Sequence, residues 1–144
     1  MSDHVPRAEL IFRIEVHCEP PQLLGERDGG RMLMIPITGG TVEGPLLSGE
    51  VLPGADWATV FAGRAQVEAR YAIRAADGTI IQVFNRGIVA IGADGSRPKT
   101  PLTVLTFVAP AGEHSWLNHG PFVGTLDADP ANDGVVKVGV FRMV

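Results

Sequence analysis

Between residues 8 and 17 the side chains of Leu10, Phe12, Ile14 and Val16 alternate with those of Arg13, Glu15 and His17. A period of two sends successive side chains to opposite faces, which predicts a half-buried β-strand. Cys18-Glu19-Pro20-Pro21 ends it, because two prolines remove two backbone donors and fix the chain. Residues 22–30 are polar and glycine-rich and read as a loop. Further strands are predicted at 31–38, 41–52, 57–62, 65–74, 79–85, 87–92, 101–109, 116–125 and 135–143. Asp77-Gly78, Ala93-Asp94-Gly95 and Asp133-Gly134 supply hairpin turn signals between them. Residues 93–101 and 126–134 read as exposed loops, the second of them acidic.

One stretch carries two periods. Residues 64–76 are rich in Ala, Arg and Glu, and Val67, Tyr71 and Arg74 stand at helical spacing. Val67, Ala69, Tyr71 and Ile73 also alternate, and the flanking turns are close. Eighteen glycines and eleven prolines in 144 residues favour short strands joined by tight turns over long helices. Many short antiparallel strands in one chain of this size give a sandwich or a closed barrel, and closure removes exposed edges. No repeat or linker divides the chain, so residues 1–144 are expected to form one all-β domain of about eight to ten strands.

Composition narrows the function classes. The net charge is −4 and no basic cluster is present, so nucleic acid is not an expected partner. Cys18 is the only cysteine, which leaves no intramolecular disulfide and suits a reducing cytoplasm. The residues around Val5 carry no apolar run of the signal-peptide kind. No run approaches the apolar length that crosses a bilayer, so a soluble cytoplasmic protein without membrane partners is expected.

Candidate chemistry gathers at a few positions. In Val51-Leu52-Pro53-Gly54-Ala55-Asp56-Trp57 an acid and a large flat ring follow a Pro-Gly turn. Asp56 could accept a proton and Trp57 could stack on a ligand, or the two could cap a turn and plug the barrel. Glu68 and Arg70 share one face of a strand and Tyr71 takes the other. Facing inward, Glu68 and Arg70 would form a buried pair with altered proton affinity; facing outward, they would form a solvated ion pair. Asn85 and Asn118 lie beside apolar neighbours, Val83-Phe84 and Trp116-Leu117, where a carboxamide can orient a carbonyl or hydroxyl ligand or cap a turn. His4, His17, His114 and His119 match no ligand spacing, so no metal is expected. No Gly-x-Ser-x-Gly elbow is present, and Thr38-Gly39-Gly40 lacks the lysine of a phosphate loop.

Several motifs occur in an order that resembles a known family. They are Pro20-Pro21, Gly30-Arg31, Pro36-Ile37-Thr38-Gly39-Gly40, Gly44-Pro45, Val51 through Trp57, Ala69-Arg70-Tyr71, Asp77-Gly78, Asn85-Arg86-Gly87, Trp116-Leu117-Asn118 and Phe122-Val123-Gly124. The family is the domain of unknown function 3237, also called uncharacterised protein family 0311. The resemblance implies a lipocalin-like antiparallel β-barrel and a strand, not a helix, over residues 64–76. It adds Arg31 as an inward-pointing candidate for an acidic ligand and strengthens Asn118. His119 stands where relatives more often carry arginine, which weakens any anion-binding role there. Some relatives tailor natural products, ring closure included.

The resulting expectation is a barrel whose interior binds a small, largely apolar molecule bearing a carbonyl or hydroxyl group. Asp56 or Glu68 would serve as general acid or base in a cofactor-independent cyclase or isomerase. Arg31, Trp57, Arg70, Tyr71, Asn85, Trp116 and Asn118 would contact the substrate. The competing expectations are a carrier without turnover and a structural subunit, with homo-oligomers of two or more chains plausible in each case.

Overall fold

The apolar runs form nine strands in the computed structural model, which describes residues 3–97, 100–129 and 133–144. They are β1 (Ala8–Cys18), β2 (Gln22–Arg27), β3 (Gly30–Glu43), β4 (Gly49–Phe61), β5 (Arg64–Ala75), β6 (Ile80–Ala90), β7 (Leu102–Val108), β8 (Phe122–Asp127) and β9 (Val135–Met143). All pairings are antiparallel in the order β1-β9-β8-β7-β6-β5-β4-β3-β2, and β1 also pairs with β3. That last pairing closes an eight-strand barrel. β2 lies outside the circuit in the same lane as β1. Cys18 pairs with Ile37 and, beyond Pro20-Pro21, Gln22 pairs with Met34 of the same β3.

Several predicted boundaries change. The loop expected at 22–30 contains β2, because Gln22-Leu23-Leu24 finds free edge groups on β3. The strands expected at 31–38, 41–52 and 57–62 are redistributed over the long β3 and β4: 41–52 is divided by a bend at 44–48, where Gly44-Pro45 cannot continue the ladder, while the interior glycines and Pro53 bend the two strands without ending them. β6 runs unbroken through Asn85-Arg86-Gly87. The strand expected at 116–125 begins instead as a 3₁₀ turn, Ser115–Asn118, before β8. Residues 64–75 are strand, with Ala65, Tyr71, Ile73 and Ala75 buried. Parts of the expected loops at 93–101 and 126–134, residues 98–99 and 130–132, lie outside the described residues.

One end of the barrel is packed shut. Phe107 meets Phe12 and Phe122 edge to face, at centroid distances of 5.8 and 5.2 Å, and Trp116 packs on Phe122 at 6.2 Å. Leu117 and Leu47 are buried beside them. The other half is hollowed by small inward residues. Strand register sets Ala58, Val67, Gly87, Thr103 and Gly124 in one row, and Ile35, Asp56, Ala69, Asn85 and Leu105 in the next. Among the described residues no helix is long and apolar enough to cross a membrane.

Candidate functional site

The orientation of Asp56 is decided by an irregularity in β4. Val51 pairs with Ile73 and Asp56 with Ala69, and the register shifts by one residue between Leu52 and Ala55. Before the bulge odd-numbered residues of β4 face inward, as the buried Val51 shows; after it the even-numbered ones do. Pro53 suits this position because a bulge residue has no ladder bond to donate. Gly54 suits it because a Cβ there would lie 2.7 Å from Cβ of Tyr71. The Pro-Gly step therefore turns Asp56 into the barrel and Trp57 out of it.

Asp56 lies where two lobes of a cleft meet. The first, of about 530 Å³, has aliphatic walls that include Leu33, Ala58, Val60, Val67 and Val89. The second, of about 450 Å³, is lined by Cys18, Glu19, Asp133 and the backbone of the Pro20-Pro21 break. Ile35, Asp56 and Val136 belong to both. The largely buried Asp56 carboxyl is pushed up to about 6, chiefly by desolvation, which the Glu68 backbone amide offsets in part. The same carboxylate and burial raise the Cys18 thiol. Tyr71 is held well above the ordinary phenol range, first by burial and then by Cys18 and Asp56.

Tyr71 and Asn85 join Asp56 in the interior. Asn85 lies on the same inward row, separated from Asp56 by the small Ala69, and is 5% exposed. Tyr71 is the next inward residue of β5. The Asp56 Oδ1, Tyr71 hydroxyl, Asn85 Oδ1 and Thr103 Oγ1 are all buried without a hydrogen-bond partner among the described residues. Thr103, at 2% exposure, escaped the sequence reading because a threonine in an alternating strand carries no signal of its own.

The structure moves the other candidates away. Glu68 and Arg70 lie on the outer face, 46% and 54% exposed, with Arg70 Nε 3.9 Å from Glu68 Oε1; the even positions of β5 face solvent. Glu68 is thus removed from the interior chemistry and Arg70 from the ligand. Trp57, 43% exposed, lines an outer groove of about 570 Å³ with Leu24, Met32, Ile88 and Val104. Arg31 pairs with the inward Val60 and so stands on the inner face at the open rim, as its inward candidacy required, but it is exposed there and lines neither lobe. Trp116 is a plug of the closed end. Asn118 is fully engaged there: its Oδ1 accepts from the Ala109 amide at 2.8 Å and its Nδ2 donates to the Ala109 carbonyl at 2.8 Å. It extends β7 by one side-chain bridge at the closed end, away from both lobes of the cleft.

The described residues that could hold a metal are on the surface at the closed end. Asp77, Glu113 and His114 place ligand atoms within 4.8 Å of one another. His114 Nε2 already hydrogen-bonds Asp77 Oδ2 at 2.9 Å, and the Asp77 carboxyl is lowered chiefly by the Thr79 amide.

Comparison with known proteins adds relatives of the same shape. A UPF0311 protein of Clostridium acetobutylicum is 40% identical over 83 residues, which are 56% of this chain and 52% of that protein. The chain thus spans about half the length of the curated relatives it matches. A β-barrel-like protein of Acinetobacter baumannii superposes with a TM-score of 0.87 at 26% identity over 99% of both chains. An enzyme from Penicillium herquei shares the fold, with a TM-score of 0.78 at 22% identity over 99% of this chain and 98% of that one. The model of a family described as "Protein of unknown function (DUF3237)" matches residues 6–143, and the chain belongs to that family.

Proposed function

We propose that the open half of the barrel binds a small, largely apolar molecule bearing a carbonyl or hydroxyl group, and that Asp56 exchanges a proton with it. The observation that carries this is the position of Asp56, a carboxylate with one oxygen unpaired among the described residues, at the junction of an aliphatic lobe and a polar one. A carboxyl raised to about 6 is poised to take and return a proton near neutral pH. Tyr71 and Asn85 supply the neighbouring polar groups, and the aliphatic wall sets the fold of the bound molecule. This is the equipment of a cofactor-independent cyclase or isomerase, a reading in keeping with the description of the Penicillium herquei neighbour as an enzyme. Native mass spectrometry of freshly purified protein, compared with its denatured mass, tests the binding half. A retained ligand that disappears on filling the lobe with Ala58→Phe supports it; a clean mass combined with no uptake from a metabolite extract refutes it.

A second reading concerns the outer face. Trp57, Ile88 (66% exposed), Leu102 (63%) and Val104 (53%) leave an apolar strip on the outer wall, which favours a homo-oligomer. Sedimentation of the Trp57→Glu variant tests it, with loss of a higher-order species expected and an unchanged monomer contradicting it.

A further inference from the structure

We propose that the head group of the bound molecule is a hydrogen-bond donor, a hydroxyl or an ammonium on an apolar body, and that anions and compounds with acceptors alone are rejected. This rests on the reading that the cleft holds a small molecule, and it narrows the class. Among the described residues five buried polar atoms lack a partner: Asp56 Oδ1, Asn85 Oδ1, the Tyr71 hydroxyl, Thr103 Oγ1 and Arg142 Nε. Arg142 pairs with Glu9 opposite Phe122 of the closed end and lines neither lobe, so the unmet atoms on the hollow side are oxygens. An ionised carboxylate and a carboxamide oxygen can only accept, whereas the two hydroxyls can do either. The inventory therefore lacks donors, and the deficit is centred on Asp56, which reaches the cleft.

Charge points the same way. The described lining of the polar lobe contains Glu19, Asp56 and Asp133 and neither lysine nor arginine. The described lining of the aliphatic lobe adds one cation, Arg97, on its exposed side. An anion seated against Asp56 would meet a like charge in a poorly hydrated space, and a bare carbonyl would leave the Asp56 oxygen unpaired. A hydroxyl or an ammonium satisfies it, and the aliphatic wall takes the rest of the molecule.

Four probes with one apolar body separate these cases by calorimetric titration at neutral pH: 2-naphthol, 2-naphthylmethylamine, 2-methoxynaphthalene and 2-naphthoate. The expected result is that the alcohol or the amine binds at least about ten-fold more tightly than the ether and the carboxylate, the scale set by one buried hydrogen bond. The tighter of the two assigns the head group. Asp56→Asn should weaken that probe by about ten-fold while leaving the ether within about two-fold. An ether equal to the alcohol and amine, or a carboxylate binding tightest, overturns the donor rule and leaves the cleft standing as a binding site. Failure of all four probes to bind overturns the cleft reading and this inference together.

Discussion

Replacing Asp56 by asparagine should make this protein more stable, an unusual outcome for a change at a candidate site. In the folded chain the carboxyl sits at about 6, against 3.8 for the free group, because burial disfavours its charge. Between those two values the folded state holds a proton that the unfolded state has released. Stability contributed by the protonated form is therefore present below about pH 4, falls as pH rises through 4 to 6, and stays lower above. A difference of about two pH units at about 1.4 kcal/mol each amounts to roughly 3 kcal/mol at neutral pH. Asparagine keeps the shape and removes the charge, but its buried amide hydrogens lack acceptors, at a cost of about 1 kcal/mol. The net gain is about 2 kcal/mol. With an unfolding entropy near 2.1 cal/mol/K per residue over 144 residues, that gain raises the melting temperature by about 6 °C. Urea unfolding of both proteins at a series of pH values from 4 to 8 measures it, and the difference between the curves isolates Asp56 from the other carboxylates. The variant should overtake the parent between pH 4 and 6. Parallel curves across that window, or a variant less stable at pH 8, would refute the claim that the burial of Asp56 outweighs its hydrogen bond from the Glu68 amide.

Other perturbations follow from the same geometry. Asn118→Ala strands the amide and carbonyl of Ala109 and should destabilise by about 2–4 kcal/mol in denaturant unfolding, with no effect on ligand uptake. Tyr71→Phe deletes a hydroxyl without a protein partner, so stability should stay within about 1 kcal/mol; a larger loss would reveal a hidden bond. Phe122→Ala removes edge-to-face contacts with both Phe107 and Trp116, and a loss of about 3–5 kcal/mol is expected by thermal melting. Glu68→Ala and Arg70→Ala, on the solvated face, should each change stability by less than about 0.5 kcal/mol and leave any turnover intact.

Strands were legible where their signals are local: alternation in β1 and the turns at Asp77-Gly78 and Asp133-Gly134 each state a strand or a turn within a few residues. Local signals left β5 with two periods and the sheet as sandwich or barrel, because closure depends on pairing between distant strands, and the family resemblance pointed to the strand and the barrel. The 3₁₀ turn at Ser115–Asn118 was hidden because Trp116-Leu117 is apolar enough for a strand, and only the Asn118 bridge to Ala109 shows otherwise. β2 was hidden because its hydrogen bonds depend on a distant strand. The site was half legible. Asp56, Tyr71 and Asn85 were readable as residue types, but their facing depends on register, and register at Asp56 depends on a bulge. The same ignorance admitted Trp57, Glu68 and Arg70, whose neighbours in sequence face inward.

For the segment from Leu52 to Ala55, length and spelling are constraints of very different weight. At Leu52, Pro53 and Ala55 the side chains are partly exposed or small, so single substitutions there alter little beyond local packing, whereas Gly54 admits no Cβ against Tyr71. Removing one residue is another matter, for it would bring β4 into unbroken register with β5 at the cost of its continuous register with β3. Wherever the β5 pairing prevailed, the carboxylate of Asp56 would turn to solvent and the indole of Trp57 would swing into the cleft, with every other letter of the chain unchanged. In this lineage a gap in an alignment at these positions would signal a change of chemistry that counting identical residues would miss.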